Sequence, residues 1–146
     1  MIYLASDHRG MLRKEEIKKL LDELKLEHYD CGNMMFDPND DEVDFVNKAC
    51  QRMEADQADS KGILFCGSGV MVDIAANRYP QVRACLAFSK KQVEMGRHDD
   101  DCNALCIAAD FFNLQDTTTF VKAFLKTEFS GDERFVRRIN KLKNGN

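Results

Sequence analysis

The chain has 146 residues, 44% of them hydrophobic, a formal net charge of −4 and six cysteines. This length fits one domain able to bury a real core, and no basic patch precedes the last dozen residues, so no nucleic-acid partner is expected. No stretch reads as a signal peptide and no apolar run approaches the roughly 18 residues needed to span a bilayer, so the expectation is a cytoplasmic protein without membrane contact.

Ile2-Tyr3-Leu4-Ala5 is an apolar run that opens into Ser6-Asp7-His8-Arg9-Gly10, a first strand ending in a polar turn. Ile17, Leu20, Leu21 and Leu24 then recur at helical spacing among lysines and glutamates. Leu26 to Cys31 reads as a second strand stopped by Gly32, followed by a polar loop over 33–42. Val43, Val46, Cys50 and Met53 mark the next helix. Gly62 to Cys66 is a third strand, Val82 to Phe88 a fourth and Ala104 to Ala108 a fifth. Ser89 through Arg97 reads as a short helix that breaks into the acidic cluster His98-Asp99-Asp100-Asp101. Phe120, Val121, Phe124 and Leu125 mark another helix, and Phe135, Ile139 and Leu142 a last one over about 132–143.

Strand and helix therefore alternate five times with short connections. That pattern predicts a single α/β domain over 1–146, a doubly wound, Rossmann-like, five-stranded parallel sheet with helices on both faces. The cysteines (Cys31, Cys50, Cys66, Cys85, Cys102, Cys106) are dispersed, so most are read as reduced, core-filling residues rather than disulfides or metal ligands.

Cys66 differs from the others by its position. Gly62-Ile63-Leu64-Phe65-Cys66-Gly67-Ser68-Gly69-Val70-Met71 is a strand feeding a helix through a Gly-Ser-Gly turn. Such a turn aims backbone N–H groups at one point, where a helix dipole also favours negative charge. It is a candidate anion hole with a thiol at its mouth, and the positive end of a helix favours the thiolate.

Three stretches together resemble the type B ribose-5-phosphate isomerase family, which includes the galactose-6-phosphate isomerase subunits. They are Ser6-Asp7-His8-Arg9-Gly10; Cys66-Gly67-Ser68-Gly69 with Ile74-Ala75-Ala76-Asn77, Pro80, Val82, Arg83 and Ala84; and Thr127-Glu128-Phe129 with Arg134 and Arg138. The resemblance implies an aldose–ketose isomerase of carbohydrate metabolism acting on a sugar phosphate, by default ribose 5-phosphate of the pentose phosphate pathway, with no metal or other cofactor. In this chemistry a base takes the proton beside the carbonyl and fixed dipoles hold the enediolate oxygen. By resemblance Cys66 is the base, and the N–H groups of Gly67, Ser68 and Gly69 form the anion hole. Arg134 and Arg138, four apart on a helix, grip the phosphate with His8, Asp7 contacts the sugar hydroxyls, and Asn103 contacts substrate. A homodimer or dimer of dimers with shared sites is also implied, the Asn103 region crossing to the partner.

This chain departs from the family pattern in several places. Phe45, in Asp44-Phe45-Val46, stands where a tyrosine hydroxyl is expected. Met71 replaces a glycine, Val72 occupies the position of a glutamate found in some members, and Asp110 replaces an arginine. Counting back from Asn103, the ring-opening histidine falls on Asp99, with His98 one residue early. Three readings stay open: a bulge lets His98 serve, Asp99 takes over, or ring opening is not catalysed. The alternatives to the default activity are a hexose 6-phosphate isomerase of allose or galactose type, a non-catalytic sugar-phosphate-binding subunit, and a generic nucleotide-binding domain. The last lacks a Gly-x-Gly-x-x-Gly or Gly-Lys-Ser/Thr signature.

Overall fold

The computed structural model describes residues 1–56 and 59–143. The elements are β1 (Ile2–Ser6), α1 (Met11–Glu23), β2 (His28–Asp30), α2 (Glu42–Asp56), β3 (Lys61–Cys66), α3 (Val70–Ala76), β4 (Ala84–Leu86), α4 (Lys90–Asp100), β5 (Ala104–Ala108), α5 (Leu114–Lys126) and α6 (Glu133–Lys143). The strands form one sheet in the order β2-β1-β3-β5-β4, and every neighbouring pair is parallel. This is the expected doubly wound α/β architecture. No helix among the described residues is long and apolar enough to cross a membrane.

Side chains alternate along each strand, so the sheet feeds two separate cores. Tyr3, Ala5, Leu64 and Cys106 pack against Val46, Cys50 and Met53 of α2 and Val72 of α3. Ile2, Leu4, Phe65 and Ile107 pack on the other face against Ile17 of α1, Val93 of α4 and Phe120 and Phe124 of α5. Each wholly buried aliphatic side chain of this kind contributes about 2 kcal/mol. Helix α1 thus leaves β1 on one face while α3 leaves β3 on the other. The carboxyl ends of β1 and β3 therefore flank the point where the winding reverses, which is where open α/β sheets hold ligands.

Three elements differ from expectation. Strand β2 is shorter because the Leu26 N–H closes the end of α1 on the Leu21 carbonyl. Strand β4 is an edge with β5 as its one neighbour, and the Val82 N–H is spent in a turn with the Tyr79 carbonyl. Helix α4 does not break at His98. It runs to Asp100 and stops at Asp101, which adopts the left-handed conformation (φ 49°) and lets the Cys102 N–H donate to the Gly96 carbonyl at 3.0 Å.

Lys14, in the first turn of α1, is wholly buried. Its Nζ donates to Asp30 Oδ1 at 2.6 Å and to the Asn33 carbonyl at 2.7 Å. Burial alone would raise the Asp30 carboxyl, but hydrogen bonds from Lys14, Lys18 and the Gly32 N–H outweigh it and hold it below its usual range. The ion pair pins the corner from which the 33–41 loop springs.

Candidate active site

The turn after β1 is closed by Asp7, whose Oδ1 accepts from the Gly10 N–H at 2.8 Å. Asp7 is buried, and desolvation raises its carboxyl against the opposing pull of that hydrogen bond and of His8. His8 points toward the loop that follows β2. Its Nδ1 is 2.6 Å from Asp40 Oδ1, its own N–H donates to the same oxygen, and its ring meets Phe36 edge-on. Asn33 Nδ2 donates to the other Asp40 oxygen. The Asp40 hydrogen bond raises the His8 imidazole above its ordinary value, so the cationic form persists to higher pH.

Beside this turn lies the Cys66 loop. The Gly69 N–H donates to Cys66 Sγ at 3.1 Å and the Val70 N–H to Ser68 Oγ at 3.3 Å. Gly69 has φ +74°, and a Cβ there would meet Leu86 Cδ1 at 2.5 Å and the Ala108 nitrogen at 2.9 Å, so both backbone and space require glycine. The Cys66 and Gly67 carbonyls are taken by the N–H groups of Ala109 and Asp110. All six cysteines are free. Burial pushes the Cys31 thiol up to about 11 and the Cys50 thiol up to about 12, as befits core residues. Val72 is wholly buried, so a carboxylate there would face the core; the exposed first-turn positions, Val70 and Met71, carry no acid either. Met71 points to solvent rather than into the loop, and the Phe45 ring lies against Gly32.

The remaining candidates gather elsewhere. His98 Nδ1 is 2.7 Å from Asp99 Oδ1, so the two neighbours form one imidazole–carboxylate unit on helix α4. The buried Phe135 ring meets His98 edge-on and carries the Arg134 and Arg138 guanidinium groups at 4.3 and 5.5 Å from its centroid. The acidic cluster divides by function. Asp101 binds Arg83 and Arg97, while Asp100 and Arg138 border a groove of about 600 Å³ with Phe88 and Met95.

Asn103 joins neither group. Its Nδ2 donates to the Gln81 carbonyl at 2.8 Å and its Oδ1 accepts from the Arg83 N–H at 2.7 Å, so the amide ties the entrance of β4 to that of β5. One N–H of the amide and one lone pair of its oxygen remain beyond these two bonds.

The two groups sit at opposite poles of the sheet. Cys66 pairs with Ala108 at the carboxyl end of β5, whereas α4 delivers His98 and Asp99 to its amino end, beside Ala104. The α5–α6 connection reaches the same pole, where the Ser130 N–H donates to the His98 carbonyl. Five strand residues separate these levels by about 15 Å.

Sequence reasoning missed Asp40, hidden in an acidic run; the Arg9–Asp110 ion pair, joined across 101 positions; and Phe135, read as an ordinary core residue.

A Rossmann-like sheet with a thiol-bearing anion loop at its switch point defines a class of sugar-phosphate enzyme, and comparison with known proteins agrees. The chain belongs to the ribose/galactose isomerase family, whose profile matches residues 2–142. It is 37% identical over 141 residues to a Mycoplasma pneumoniae protein named "probable ribose-5-phosphate isomerase B", covering 97% of this chain and 91% of that one. The crystal structure of Mycoplasma genitalium ribose-5-phosphate isomerase B with bound ribulose 5-phosphate superposes with a TM-score of 0.94 at 36% identity, covering 98% of this chain and 93% of that one. The Thermotoga maritima ribose 5-phosphate isomerase gives 0.92 at 33% identity, covering 99% and 97%.

Proposed function

We propose that this protein is a cytoplasmic homodimeric isomerase that interconverts ribose 5-phosphate and ribulose 5-phosphate through an enediolate. The observation that carries the reading is the Cys66 thiol, held by the Gly69 N–H at 3.1 Å in a loop at the switch point beside Asp7 and His8. The Cys66 thiolate takes the proton from C2 of the open-chain aldose, and the loop N–H groups of Gly67 and Ser68 hold the oxygen that becomes negative. The resulting thiol returns the proton to C1 while the hydroxyl proton passes from O2 to O1, so C1 gains the hydroxyl, C2 becomes the ketone and no net proton is consumed. Asp7 orients a hydroxyl. His8, charged and steered by Asp40, binds the phosphate.

The second pole supplies what the first lacks. Two clusters about 15 Å apart in one chain cannot grip one pentose phosphate, but a second copy in two-fold relation brings its Arg134 and Arg138 to the phosphate and its His98–Asp99 pair to the ring oxygen. The exposed apolar residues Val70, Met71 and Ile74, next to the Cys66 loop, support an interface there. The test is a panel of pentose and hexose phosphates. Turnover of ribose 5-phosphate above all others is expected; binding of one member with turnover of none would replace the reading with a non-catalytic sugar-phosphate-binding subunit.

A further inference from the structure

Arg9 follows His8 in the turn after β1, but its side chain goes the other way. It crosses the carboxyl end of β3 and donates from Nη2 to Asp110 Oδ2. Asp110 is itself fixed, since its N–H donates to the Gly67 carbonyl at 3.1 Å. The pair lies on the Cα of Gly67: a Cβ there would come within 2.5 Å of Arg9 Nε and 2.7 Å of Asp110 Oδ2. Gly67 is not among the glycines with positive φ, so a Cβ there is crowded by this pair of side chains and not by the backbone conformation.

Stability does not explain the arrangement. The side chains are 58% and 37% exposed, and exposed ion pairs add little to folding. What the pair does is electrostatic and local. A bare Asp110 carboxylate at the rim of an anion loop would repel an anionic substrate. Arg9 cancels that charge. Among the described residues it spends one of its five N–H donors on Asp110, which leaves the others for a ligand.

We propose that Arg9, positioned by Asp110, binds an oxygen of the substrate's phosphate at the rim of the Cys66 loop. The inference rests on the sugar-phosphate reading above. It assigns a binding role to Arg9 and a positioning role to Asp110, and it makes the reversed charge at Asp110 the anchor of a cation delivered from another strand.

The pair has a signature that a merely structural contact lacks. Arg9→Met removes a donor and also unmasks the Asp110 carboxylate, so Arg9→Met/Asp110→Asn should bind more tightly than Arg9→Met alone. Titration calorimetry of the full-length protein with ribose 5-phosphate, and separately with inorganic phosphate, measures this without requiring turnover. The expected result is an affinity loss of about tenfold for both ligands in Arg9→Met, with part of it recovered in the double variant and most of it in Arg9→Lys. Where turnover is followed, KM rises and kcat stays within about twofold. Unchanged affinity in Arg9→Met, or a double variant no better than the single one, overturns the inference. A wild-type protein that binds neither ligand overturns the sugar-phosphate reading itself, which is a different outcome from wild-type binding that Arg9→Met leaves intact.

Discussion

At the carboxyl pole of the sheet, Asp7 and Cys66 each accept an N–H from three residues on in their own turns, His8 is held by Asp40 of the loop after β2, and Asp7 and Cys66 are buried. At the amino pole, Arg134 and Arg138 are exposed and share the ring of Phe135, and the exposed His98 imidazole meets its sequence neighbour Asp99 and that same ring. The first cluster is organised by the chain itself. The second presents its charges outward, as groups do that meet their ligand at a surface. A catalytic base and an anion hole gain from fixed geometry, whereas long cationic side chains can be ordered when substrate and a second subunit arrive.

The largest effect that would sharpen this contrast is at Cys66. Cys66→Ala should lower kcat by about 10³-fold while leaving inorganic phosphate binding and the thermal midpoint near wild type. Turnover within tenfold of wild type would remove the thiol from the chemistry. Next, His98→Ala and Asp99→Ala should slow closed-ring ribose 5-phosphate by about 10- to 100-fold but the open-chain form much less. Equal losses on both would assign the pair to positioning rather than ring opening.

The smallest effect concerns pH. The Asp40 hydrogen bond raises the His8 pKa above its unfolded value, so the charged imidazole and its contribution are fully present below the ordinary histidine pKa and are lost as pH rises through the raised value. KM should therefore climb across that upper window. Asp40→Asn should move the climb down toward about pH 6.5, with a change of a few-fold at neutral pH. An unmoved profile would separate His8 from the phosphate.

Much of this was legible in the residues, because the alternation of apolar runs and helical spacings is local. Ala104 to Ala108 is a strand with the bounds read from sequence, and the Cys66 loop sits where strand, turn and helix signals meet. What was hidden depends on contacts between distant positions. Asp40 joins His8 across 32 residues and Arg9 joins Asp110 across 101. Lys14 looks like any lysine of a solvated helix until Asp30 and the Asn33 carbonyl close over it. The bonds of the Asn103 amide to the Gln81 carbonyl and the Arg83 N–H, which tie the entrances of β4 and β5, were hidden in the same way. Helix α4 extends into its acidic run as far as Asp100, and Arg83 and Arg97 neutralise Asp101 at its end.

The central claim is that one active site draws on both poles, one from each of two chains. It is tested most directly by complementation between a Cys66→Ala protein and an Arg134→Ala/Arg138→Ala protein, each inactive alone. Random reassortment puts half of all dimers in the mixed state with one intact site in two, so the account predicts recovery of about a quarter of wild-type activity. A mixture as inactive as its components would contradict it.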